Sequence, residues 1–176
     1  MAASRSRLLR VLVTAGPTRE HLDDVRFLSN GSTGRMGIEL AREARRRGAR
    51  VVLLLGPTDL KPPPGVRTQR VVSTADLLRA ARAAAPAADV IVFAAAPADW
   101  APARRLRGKP SKHARGGRLS LVETPDVAAT LSRTKGGCAA SCAIMARAST
   151  WLTLGNYSAL SSECIRMLTF LALASA

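Results

Sequence analysis

Aromatic side chains make up only 3% of the 176-residue chain, and their scarcity excludes one obvious reading of its charge. Proteins that hold single-stranded nucleic acid interleave basic residues with aromatic stacking platforms, whereas here arginine is spread over helix faces and loops without them. The formal charge of +15 therefore reads first as a solvated basic surface and second as a field that attracts small anions. No specific nucleic-acid partner is expected. Cysteine is sparse too: Cys138, Cys142 and Cys164 all fall in the last quarter, and an odd number fits no disulfide framework. A reducing cytoplasm is the expected compartment. Long apolar runs are missing, since nothing approaches the ~20 residues of a membrane span. The basic N-terminus carries an apolar run of strand length only, with no cleavage site after it, so no membrane partner is expected. Lysine is confined to Lys61, Lys109, Lys112 and Lys135.

What is present is alanine, valine and leucine in a chain long enough for a sizeable core without metal or disulfide staples. The stretch that organises it is Phe27-Leu28-Ser29-Asn30-Gly31-Ser32-Thr33-Gly34-Arg35-Met36-Gly37, which runs into an amphipathic segment closed by Gly48. Gly31 and Gly34 permit positive φ or close approach of a ligand, and Ser29, Asn30, Ser32 and Thr33 offer capping oxygens. Met36, Leu40, Ala41 and Ala44 recur at helical spacing. A helix N-terminus presents unpaired N–H groups and a positive dipole end, so an anion is the natural ligand.

Along the chain, residues 8–14, 51–55 and 89–94 are continuous apolar runs of the kind buried on both faces of a parallel sheet. Residues 66–72 alternate as a short strand. Ser73-Thr74 caps a helix over 75–85, 119–122 is a short strand, and Thr124-Pro125-Asp126 opens a helix through Leu131. Residues 19–27 read as a functional loop and 101–118 as a basic flap. The expected fold is α/β, a Rossmann-like doubly wound and mainly parallel sheet, incomplete at the C-terminal side. It spans 8–135. Residues 138–176 change character and are left as an atypical tail, either a small helical appendage or the product of a shifted frame or an unrelated join. In such sheets ligands bind beyond the carboxyl ends of the strands, which singles out the loops at 15–18, 29–34 and 95–100.

Together these motifs resemble the phosphopantothenate-cysteine ligases, the phosphopantothenoylcysteine synthetase domain of the DNA/pantothenate metabolism flavoprotein family. The resemblance rests on Thr14 through Glu20, Asp24 through Asn30, Ser32 through Gly37, Gly56-Pro57, Ala95 through Trp100 and Thr124-Pro125-Asp126, in the family's order over about 10–133. It implies ligation of phosphopantothenate to cysteine in coenzyme A synthesis, with CTP or ATP forming an acyl-nucleotide and Mg accompanying the triphosphate. By position it assigns Arg26, Asn30 and Ala96 to phosphopantothenate. Asn30 would also assist acyl transfer as an oxyanion-type donor. Gly16, Ser32 and Asp99 go to the nucleotide, with Lys109 and Lys112 of the flap neutralising the triphosphate and Lys109 taking part in activation.

Two departures accompany it. The flap reads Lys109-Pro110-Ser111-Lys112 where the family has a Lys-x-Lys-Lys motif, and nothing after Cys138 matches the family's later strand, lysines and dimer elements. The resemblance is therefore to the front half of a ligase, apparently C-terminally truncated or frame-shifted. The family is dimeric; no dimer is specified here, and no protein-held metal and no FMN are expected. A dehydrogenase-like domain and a non-catalytic anion-binding module stay open as alternatives. Against the first, Thr14-Ala15-Gly16-Pro17-Thr18 is no Gly-x-Gly-x-x-Gly turn. Against the second stands the ordered set of motifs, and steep salt dependence of binding would favour it.

Overall fold

The computed structural model describes residues 8–111, 118–132, 140–144 and 152–154. Strands β1 (Arg10–Pro17), β4 (Arg50–Leu55), β5 (Arg67–Arg70) and β6 (Val90–Ala96) form a parallel sheet. Helices α1 (Arg35–Arg46), α2 (Thr74–Ala84) and α3 (Val127–Ser132) flank it. The apolar runs are continuous because both faces are covered. On β1, Val11, Val13 and Ala15 pack with Ile38, Ala41 and Ala44 of α1, while Leu12 packs with Leu77 and Ala81 of α2 and Leu131 of α3. That alternation makes the sheet doubly wound, as the sequence predicts.

Two short antiparallel pairs decorate its carboxyl edge. β2 (Arg19–His21) pairs with β3 (Phe27–Ser29), and β7 (Trp100–Pro102) pairs with β8 (Leu121–Glu123). The first replaces the loop expected at 19–27. The second pairs the start of the expected flap with the strand expected at 119–122. Within 138–176 the described residues are two strands, β9 (Ala140–Ile144) and β10 (Leu152–Leu154). β9 lies parallel beside β6 and β10 antiparallel beside β9, giving the order β10-β9-β6-β1-β4-β5.

Strand β1 outruns its expected end at Thr14 and pairs with β6 as far as Pro17↔Ala96. Its pairing with β4 stops at Ala15↔Leu55, so the proline lies where the ladder has ended on that side. Helix α2 starts as expected, with Ser73 accepting from the Asp76 N–H and the Asp76 carboxylate accepting from the Ser73 N–H in a capping box. Helix α1 does not start on a hydroxyl. Its N-cap is Gly34 at φ +77 with no side-chain cap, and Gly48 at φ +86 follows its last turn.

Candidate active site

Three glycines meet at the carboxyl edge. A Cβ on Gly34 would stand 3.1 Å from the Gly16 Cα, and one on Gly16 (φ +81) 3.4 Å from the Gly56 Cα. The end of β1, the turn after β4 and the turn before α1 therefore touch backbone to backbone, a packing that any side chain would wedge apart. Gly31 is different: it meets nothing within 4 Å and has no positive φ. The Ser32 hydroxyl accepts from the Gly34 N–H at 3.3 Å and the Thr33 hydroxyl from the Arg35 N–H at 3.3 Å. The first turn of α1 holds no acidic residue, which leaves its dipole available to an outside anion.

Asn30 closes this edge. Its Nδ2 donates to the Pro97 carbonyl at 2.7 Å and makes a longer contact of 3.4 Å to the Ala96 carbonyl. Since both partners are acceptors, the amide nitrogen must face them. The side chain thus ties the turn before α1 to the end of β6 and brings Asn30, Ala96 and, through Gly34, Ser32 and Gly16 into one neighbourhood.

Arg26 is held by Asp23. The buried Asp23 carboxylate accepts from the Val25 N–H at 2.8 Å, the Arg26 N–H at 2.7 Å and the Arg26 Nε at 2.7 Å. The Arg26 backbone N–H, then the Val25 N–H and the guanidinium, pull the carboxyl down to about 2 against the opposing effect of burial. The Arg26 side chain stays half exposed and reaches the Pro110 carbonyl at 3.3 Å.

Asp99 is placed apart. With Thr14, Phe93, Trp100, Glu123, Thr124 and Asp126 it lines a cavity of about 370 Å³ on the α2–α3 face of β6, and among the described residues none of the other assigned ones lines it. Lys109 is exposed on the flap, and Lys112 lies outside the described residues.

A buried polar network that residue-by-residue reading missed supports these loops. The Thr18 hydroxyl pairs with that of Thr74 at 2.9 Å and accepts from the Ala98 N–H at 2.8 Å. The Ala98 carbonyl accepts from the Thr124 hydroxyl at 2.6 Å and that of Thr74 at 3.3 Å, and Glu20 accepts from the Thr74 N–H at 2.7 Å. The signal available was hydroxyls and a carboxylate directly after a buried strand, Thr18-Arg19-Glu20, facing a helix start at Ser73-Thr74.

The DNA/pantothenate metabolism flavoprotein C-terminal domain matches residues 7–152. The chain belongs to this family. Family members in the comparison include the Coenzyme A biosynthesis bifunctional protein CoaBC of Escherichia coli K12, 38% identical over 130 residues covering 72% of this chain and 32% of that protein. The protein of the same name from Mycobacterium tuberculosis H37Rv is 43% identical over 128 residues, covering 72% and 31%. The chain thus spans about a third of the length of these curated relatives. Among solved members, the C-terminal domain of a Coenzyme A biosynthesis bifunctional protein CoaBC superposes with a TM-score of 0.61 at 39% identity, over 75% of this chain and 61% of that one. A Streptococcus pneumoniae DNA/pantothenate metabolism flavoprotein shares the fold with a TM-score of 0.62 at 24% identity, over 70% and 64%. The family inferred from the loop motifs is the family found. The match runs beyond residue 135 and takes in β9.

Proposed function

We propose that this chain joins phosphopantothenate to cysteine in coenzyme A synthesis, driven by CTP or ATP through an acyl-nucleotide. The observation that carries the reading is the tie from Asn30 to the end of β6, which sets an amide beside the uncapped N-terminus of α1. Phosphate oxygens would be received by the first-turn N–H groups of α1 that Thr33 does not take and by the Ser32 hydroxyl, in the field of a basic surface. Arg26, oriented by Asp23, offers its fork to the carboxylate or phosphate of phosphopantothenate. The Asn30 N–H that is not aligned on Pro97 donates to the acyl oxygen where charge develops, with Ala96 lining the same subsite. Asp99 accepts from a base amino group. Lys109 and Lys112 bring positive charge to the triphosphate as pyrophosphate leaves; the cysteine amine then attacks the acyl carbon and the nucleoside monophosphate departs.

Among the described residues no cluster of three His, Cys, Asp or Glu forms a metal cage. Magnesium would be carried by the triphosphate's own oxygens, where it would neutralise charge. Among the same residues no helix is long and apolar enough to cross a membrane.

The test is pyrophosphate release from the purified chain given phosphopantothenate, magnesium and CTP or ATP, with and without cysteine. Release that requires both phosphopantothenate and nucleotide supports the reading; none from a folded protein refutes it. Asn30→Asp sharpens the assignment. The new carboxylate cannot donate and faces the Pro97 carbonyl, so acyl transfer should fall by about 10²–10³ while nucleotide binding persists. Unchanged turnover would overturn the role of Asn30.

A further inference from the structure

The two neighbouring acids of the β2–β3 turn do different things. Asp23 faces inward to Arg26, whereas Asp24 faces the flap. The Asp24 Oδ2 accepts from the Gly108 N–H at 2.7 Å, and the Asp24 N–H donates back to the Gly108 carbonyl at 3.3 Å. Its Oδ1 accepts from Arg105 Nη2 at 3.2 Å. On one side the Leu106 N–H donates to the Leu22 carbonyl at 2.9 Å, and on the other Arg26 Nη2 reaches the Pro110 carbonyl at 3.3 Å. Gly108 turns at φ +66 between these contacts, and Lys109 is the next residue.

We propose that Asp24 is the positioning residue of the flap: its carboxylate and backbone together grip Gly108 and so fix where Lys109 leaves the protein surface. The link to catalysis rests on the ligase reading above; the grip itself does not. Oδ2 accepts from a backbone amide with its full negative charge, a stronger bond than one between neutral groups. The Arg105 pair is exposed on both sides, 60% and 54%, and adds little. The hydrogen bond from the Gly108 N–H is therefore the contact that matters. Because the same turn carries Asp23 and Arg26, it sets one edge of the substrate site and the root of the flap as a unit.

The variants that test this are Asp24→Ala, which removes the acceptor, and Asp24→Asn, whose amide oxygen still accepts from Gly108 while the charge is lost. Limited trypsin digestion of the full chain reads the flap directly, through cleavage after Arg105 and Arg107. Asp24→Ala should speed cleavage at those two bonds by about tenfold, the scale of losing one charge-assisted bond from a local opening equilibrium, with Asp24→Asn much closer to the native protein. Native-like cleavage in Asp24→Ala, or an even acceleration at all sites, overturns the grip. In the pyrophosphate assay Asp24→Ala should lower kcat with little change in KM for phosphopantothenate, and Asp24→Asn should restore most of it. Altered KM alone, or full activity in an Asp24→Ala protein whose flap is cut rapidly, refutes positioning of Lys109. If the native chain releases no pyrophosphate, the ligase reading and the catalytic link fall together while the digestion still decides the grip.

Discussion

Gly37 is the third residue of α1, in its first turn, where a methyl group would have nowhere to go. A Cβ there would lie 2.4 Å from the Ala15 Cβ, 3.0 Å from the Ala15 Cα and 3.1 Å from the Thr14 carbonyl oxygen. None of these is the end of a flexible side chain. Carbon atoms in contact sit about 3.5–4.0 Å apart, so Gly37→Ala requires α1 to retreat from β1 by about 1–1.5 Å. Two effects compete. Alanine gains about 1 kcal/mol over glycine as a helix former, and overpacking costs about 1–3 kcal/mol. With the obstructing atoms fixed to the central strand, the upper end of that range applies and the net destabilisation is about 2 kcal/mol, worth about 4–8 °C in melting temperature for a domain of this size. Urea and thermal unfolding followed by circular dichroism measure it directly. Gly31→Ala, in open space in the same loop, is the control and should stay within about 0.5 kcal/mol of the native chain. A Gly37→Ala protein that melts at or above the native temperature would refute the claim that helix–strand contact, not helix propensity, dictates glycine there.

Thr18→Val keeps the shape of a buried residue but removes the acceptor of the Ala98 N–H and the partner of Thr74. It should cost about 1–3 kcal/mol, and equal stability in urea would show that the network is dispensable. Asp23 has its carboxyl lowered from 3.8 to about 2, so its stabilising effect is fully present above the ordinary carboxylate range and is lost as pH falls through about 2. The stability gap between the native chain and Asp23→Asn should therefore be flat near neutrality and narrow between pH 3.8 and about 2. A gap that stays constant through acid titration would remove Asp23 as the holder of Arg26.

The strands β1, β4 and β6 were legible because a sheet covered on both faces demands unbroken apolar runs, and Val11-Leu12-Val13, Val51 through Leu55 and Val90 through Phe93 supply them. Helix α2 was legible from its cap. The β2–β3 hairpin was not, because Arg19-Glu20-His21 and Phe27-Leu28-Ser29 are three residues each and owe their conformation to tertiary anchors such as the Arg19 N–H donating to the Val72 carbonyl at 2.8 Å. Of the β7–β8 ribbon, β8 answers to the strand expected at 119–122, while β7, Trp100-Ala101-Pro102, escaped for the same reason. β9, Ala140-Ser141-Cys142-Ala143-Ile144, escaped notice because small residues carry little strand preference. At the candidate site, motif order nominated residues, and their connections were not legible. Asn30 meets Pro97 and Ala96 through main-chain carbonyls, and Asp24 meets Gly108 through a main-chain amide. Such partners have no side-chain signature.

The meeting of Gly16, Gly34 and Gly56 has a practical consequence for anyone wishing to redesign the protein. In many α/β enzymes the loops at the sheet edge behave as exchangeable parts, each replaceable on an indifferent scaffold. Here three of them form a keystone: lengthening one, or giving it a side chain, displaces the other two. Specificity would have to be altered through the segment after β6 or through the flap, or by recutting all three turns at once.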